Sequence, residues 1–120
     1  MLVLLRAVTK YGTLKISMKG IRQEVGCKTG TSHEANDFNV VCITPDLVIA
    51  LRIGHDHPKS INLPLYMKRV SGDGTLPISA GWGAGPLMRQ MLDLFYEGRE
   101  SVPFPEDTEE DLAELIERNK

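Results

Sequence analysis

Two apolar, β-branched runs separated by a proline turn constrain this chain more than any other feature: "FNVVCIT" at 38–44 and "LVIALRI" at 47–53. Short apolar runs bounded by turn residues are strands. Thr44-Pro45-Asp46 leaves room only for a tight reversal between them, so the two lie side by side and antiparallel. A third run, "QEVGCKT" at 23–29, precedes them, and polar "SHEAND" at 32–37 closes a first hairpin. The pattern predicts a three-stranded antiparallel meander over 23–29, 38–44 and 47–53. The second and third runs are apolar at successive positions, which predicts helices covering both faces.

Helical spacing appears on either side of these strands. Leu4, Val8 and Tyr11, with Leu2, Leu5 and Ala7 widening the stripe, predict a helix over 2–11 stopped by a left-handed cap at Gly12. "TLKISMKGIR" at 13–22 reads as a loop with some extended character. Residues 54–83 are broken by Gly, Pro, Ser and Asp around one apolar patch, "LPLYM", and a connection of that length is functional or mobile. Pro86 suits a first helical turn, and Leu87, Met88, Met91, Leu92 and Phe95 form the apolar face of a helix that Gly98 ends. In the acidic tail, Thr108 can cap a short helix with Asp111 three residues on and a weak apolar side of Leu112, Leu115 and Ile116. The fold class is α+β, a meander packed with N-terminal and C-terminal helices.

At 120 residues the chain makes one domain. Apolar and charged fractions of 42% and 25% are those of a globular protein. A net charge of −2, with no basic stripe, argues against nucleic acid as a partner. No apolar run is long enough to span a membrane. "LVLLRAV" after Met1 lacks the basic start and small-residue cleavage site of a signal peptide. Cys27 and Cys42 have no C-x-x-C spacing, which disfavours a zinc or redox motif. If the first hairpin pairs residue 27 with 42, the thiols stand opposite each other on the face away from Lys28. Two buried free thiols are the expectation; a cross-strand disulfide in an oxidising compartment is the alternative.

The stretch "VGCKTGTS" holds Lys28, Thr29, Gly30 and Thr31 at the end of the first strand. Lys-Thr-Gly is one of three motifs of penicillin-binding proteins and class A β-lactamases. The order of its surroundings adds to it. "MLVLLRAVTKYGT" resembles the family's helix that ends in Gly-Thr before the motif strand. "NDFNVVCITPDLVIALRIGHDHP" is similar to its following pair of strands, and "GWGAGPLMRQML" to the start of its closing helix. Residues 1–105 thus resemble the C-terminal part of the transpeptidase domain of a class A (bifunctional) penicillin-binding protein, with 106–120 as an acidic tail. Asn39, Val40, Cys42 and Arg52 stand where the family pattern has Trp, Phe, Gly and a second Trp, which marks a divergent member.

The resemblance implies a serine D,D-transpeptidase that cross-links peptidoglycan stem peptides, works outside the cytoplasm, binds β-lactams and needs no cofactor. It implies that Lys28 supplies positive potential and helps move protons, and that Thr29 and Thr31 hydroxyls hold the substrate carboxylate. The Thr31 N–H would serve as an oxyanion donor, and Gly30 would let a ligand approach the backbone. The family's Ser-x-x-Lys nucleophile has no counterpart, since no Ser or Thr is followed three residues later by Lys. Ser60-Ile61-Asn62 fits Ser-x-Asn but lies after Lys-Thr-Gly, out of order. The chain is therefore expected to supply one wall of an active site, to be inactive alone, and to have the missing N-terminal part as its partner. Self-association through exposed apolar surface is a further expectation, and a non-catalytic interaction module is the alternative function. His55 and His57 flank Asp56, with His33 apart, but no third ligand is evident, and surface histidines are expected instead of a metal site.

Overall fold

The computed structural model describes residues 1–61, 70–71, 74–75, 79–105, 113–114 and 116–118. Helix α1 (Leu2–Lys10) precedes strands β1 (Gly26–Thr31), β2 (Asp37–Ile43) and β3 (Val48–Gly54). A two-residue ribbon, β4 (Val70–Ser71) and β5 (Gly74–Thr75), follows, then helices α2 (Ala80–Gly83) and α3 (Gly85–Phe95). β1, β2 and β3 form an antiparallel sheet in that order, so the predicted α+β meander is present. Pro86 sits in the first turn of α3. The expected helix in the acidic tail lies largely outside the described residues; those described at 113–114 and 116–118 are helical.

The hydrogen-bond phase of the sheet follows from two bonds at the hairpin ends. Ser32 N–H donates to Asp37 C=O at 3.0 Å, and Thr44 N–H donates to Leu47 C=O at 2.8 Å. Antiparallel ladders alternate bonded and non-bonded pairs. Gly26, Lys28 and Gly30 therefore bond across to β2, while Cys27, Thr29 and Thr31 turn their peptide groups to the outer edge of β1. Cys27 is opposite Cys42 at a non-bonded pair, where the strands approach most closely.

One face of this sheet carries the core. Phe38, Val40 and Cys42 project from β2 with Cys27 from β1, and Ala80 of α2, Ala84 between the helices, and Met88 and Leu92 of α3 close over them. The other face is only partly covered. Val41 is 43% and Val48 69% exposed, and no residue of β3 is buried. The expectation of cover on both faces fails because α1 lies along β1 and does not extend over β2 and β3. Gly26 makes this placement of α1 feasible, since a Cβ there would meet Leu5 Cβ at 3.0 Å and Arg6 N at 3.2 Å. Thr9 Oγ1 donates to Arg6 C=O at 2.8 Å and approaches Val25 C=O at 3.1 Å, tying helix to strand.

Other boundaries differ for local reasons. Residues 13–20 form consecutive turns, with Met18 N–H donating to Leu14 C=O at 2.9 Å. Leu14 and Met18, spaced by one helical turn, are both buried against α3, and this outweighs any extended tendency. Gly12 does end α1, but its φ is not among the positive ones; a Cβ there would instead meet Val8 Cα at 3.0 Å. β1 begins at Gly26 because Gln23 and Glu24 are engaged elsewhere. Gln23 both donates to Val102 C=O (2.7 Å) and accepts its N–H (2.9 Å), and Glu24 accepts the Phe104 N–H at 2.6 Å. Buried Arg6 pairs with Glu24 at 3.2 Å and lies over the Phe104 ring. These contacts bind residues 102–104 to the front of the sheet.

Cys27 and Cys42 form a disulfide, fully buried, with their Cα atoms 4.1 Å apart. The free-thiol expectation is corrected: direct opposition at a non-bonded pair brings the sulfurs together. A second tie joins the β2–β3 turn to the end of α3. Tyr96 O–H donates to Asp46, Thr44 Oγ1 lies 2.6 Å from Tyr96 Oη, and Thr44 O–H reaches Asp46 Oδ1 at 3.0 Å.

Replacing both cysteines by alanine is expected to lower unfolding free energy by about 3 kcal/mol, the loop-closure value for 15 residues of separation, measured by urea denaturation. The Tyr96 hydroxyl bond, helped by Thr44 and opposed by desolvation, holds the Asp46 carboxyl below its ordinary 3.8. Its contribution is therefore present above that value and lost as pH falls through the folded one. Tyr96→Phe should lower the Tm at neutral pH and flatten its acid-side pH dependence, as read by thermal melts from pH 7 to about 2.

Candidate functional site

The Lys-Thr-Gly-Thr residues occupy the last four positions of β1, an edge strand. Alternation sends Lys28 and Gly30 to the partly open face and Thr29 and Thr31 to the core face. The groups nonetheless converge on the outer edge. The exposed Lys28 side chain curls around the strand, and its ammonium donates to Thr29 C=O at 2.6 Å. Thr29 Oγ1 lies 3.0 Å from Thr13 Oγ1. Thr31 N–H points to the same edge by the ladder phase. Four groups thus share a short stretch of edge: an ammonium, a hydroxyl pair, the Thr29 carbonyl and an outward amide.

Thr31 has a structural duty as well. Its Oγ1 accepts the N–H of Ala80, the first residue of α2, at 2.8 Å. Ala80 is fully buried, so this oxygen satisfies a donor at a helix start that water does not reach. The hydroxyl proton stays available to a ligand. Gly30 is different: a Cβ there would find only Asn39 Cβ at 3.8 Å, an ordinary contact, and its φ is not positive. Neither packing nor backbone conformation requires a glycine at position 30.

Thr13 and Ala80 also touch this edge, and neither belongs to the Lys-Thr-Gly-Thr motif. Thr13 was legible only as the end of the Gly-Thr pair that closes the first helix. Ala80 carried no signal, because its part is played by a peptide N–H. Asn39 and Arg52 pair across β2 and β3 on the open face. Arg52 is held by an ion pair with Asp37.

The histidines lie elsewhere. His33, His55 and His57 line one shallow cleft beyond the end of β3, together with Asp56 and Arg52. Among the described residues, no three His, Cys, Asp or Glu side chains are grouped to hold a metal ion. Ser60 donates to Glu34 C=O at 2.7 Å, and Ile61 N–H to Ala35 C=O at 2.9 Å. Ser60 therefore fastens the loop after β3 to the first hairpin.

Thr31→Val should cost about 1–3 kcal/mol in urea unfolding, the penalty of an unsatisfied buried N–H, and Thr31→Ser should restore it. Lys28→Ala and Gly30→Ala should leave stability within about 0.5 kcal/mol, since neither position is packed. No known protein family, curated protein or solved structure matches the chain.

Proposed function

We propose that residues 1–105 are the C-terminal part of a penicillin-binding D,D-transpeptidase domain and supply one wall of its active site. The observation that carries this reading is the outer edge of β1. The Lys28 ammonium, the Thr29 and Thr13 hydroxyls and the Thr31 N–H stand along one stretch that no described strand pairs. An ammonium and hydroxyl donors suit a peptide or β-lactam carboxylate. An outward N–H two residues further on suits the oxygen that gains charge when the neighbouring amide is attacked. A stem peptide could lie along this edge against these donors, and a glycine that the fold does not require leaves room for it.

In this reading Lys28 and Thr31 act in the chemistry, Thr29, Gly30 and Thr31 hold substrate, and the attacking serine comes from outside these residues. The missing N-terminal part of the domain is the partner that brings it. A location outside the cytoplasm accords with the buried Cys27–Cys42 disulfide; among the described residues, no helix is long and apolar enough to cross a membrane. A non-catalytic interaction module is the second reading, favoured by the outer edge of β3, which no described strand meets and whose residues are all exposed or half-buried.

Fluorescent penicillin should leave the isolated chain without covalent label, while amide NMR titration with benzylpenicillin should shift residues 28–31 and Thr13, and Lys28→Ala should abolish those shifts. Covalent labelling would show that a nucleophile lies within the chain. Titration to millimolar ligand without shifts at β1 would remove the transpeptidase reading and leave the interaction module.

A further inference from the structure

We infer that the outer edge of β3 is a self-pairing surface, through which two copies of this chain join their sheets about a two-fold axis centred on Leu51. The inference does not use the acyl-transfer reading and concerns this chain alone, since in a complete domain the missing part would compete for the same edge. Because Thr44 and Leu47 are a bonded pair, Ile49, Leu51 and Ile53 direct their peptide groups to β2. Val48, Ala50, Arg52 and Gly54 direct theirs outward, where no described strand meets them. Edge strands are ordinarily protected from such pairing by lysine, proline or a bulge. Val48–Gly54 contains neither residue, and its register against β2 runs unbroken over all seven positions. Its one charge, Arg52, is neutralised by Asp37 of the same chain.

The strand is also complementary to itself. With Leu51 on the axis, Ala50 and Arg52 of one copy form bonded pairs with Arg52 and Ala50 of the other, and Val48 pairs with Gly54. No residue of the strand is left over. The two arginines face alanines, not each other, and on the core side Leu51 meets Leu51 while Ile49 meets Ile53. Shifting the register by two residues in one direction sets Arg52 against Arg52, a like-charge pair that disfavours it. The assembly closes at two copies. At the other edge of the sheet, Thr9 of α1 holds the Val25 carbonyl and Thr13, in the turns after α1, meets Thr29, which disfavours head-to-tail growth from β3 onto β1.

Sedimentation equilibrium of the full chain over a micromolar dilution series tests this. The expected mass is twice 13.3 kDa, falling towards one copy on dilution. Ala50→Pro removes an outward N–H without touching the β2 ladder, and Val48→Lys sets a cation diagonal to Arg52 of the second copy. Each should raise the dimer Kd by about tenfold or more; the lysine variant, at a 69% exposed position, serves if the proline variant does not fold. Leu51→Cys should give a covalent dimer under mild oxidation, because the native cysteines are already joined. A monomer throughout the series overturns the inference. So does a dimer unaffected by both edge variants, or one that the Leu51→Cys thiol does not cross-link.

Discussion

The pairing of β1 with β2, and within it the opposition of Cys27 and Cys42, is the constraint on which the rest of this structure stands. The side-chain period of a strand is two, so a slip of one residue would turn Thr29 and Thr31 to the open face and send Lys28 into the core. The disulfide forbids that slip. It also sets the ladder phase, and the phase decides which amides of β1 look outward. The chemical character of the Lys28–Thr31 edge is thus a consequence of a covalent bond that is itself buried.

The helices use this sheet in different ways. α2 and α3 cover one face and supply most of the apolar core, while α1 lies along the edge and approaches closely only because position 26 is a glycine. The result is asymmetric: a covered face, a partly open one, an edge carrying Lys28, Thr29 and Thr13, and an edge at β3 that no described strand meets. Thr31 joins fold and candidate site, because the same oxygen that anchors Ala80 stands on the strand end proposed to hold substrate. Such sharing couples stability to any function at that edge. Lys28 and Gly30 are the positions where the two separate, and their identities are not required by packing.

Much of the architecture was legible beforehand. The Thr-Pro-Asp turn between two apolar runs left one topology for β2 and β3, and the polar hairpin before them extended it to β1. Pro86 and the apolar spacing after it located α3 to within about two residues. The misreadings have physical causes. Residues 13–22 carry their apolar side chains at helical spacing, but Lys15, Lys19 and Gly20 obscured it, and only the pocket under α3 makes the turns pay in burial. The start of β1 moved because Gln23 and Glu24 bind a segment almost eighty positions away, which no local pattern announces.

By itself, the sequence determined that three strands pair in order, that a helix follows Pro86, and that lysine, two threonines and a glycine end the first strand. These depend on neighbours within one or two turns of chain, where propensity and steric limits act directly. Tertiary structure alone decided that the two cysteines bond, that Thr13 meets Thr29, that Thr31 holds the start of α2, and that one face of the sheet is only partly covered. Each of these requires groups distant along the chain to come within hydrogen-bonding or van der Waals reach, and that proximity is set by how the helices stack on the sheet.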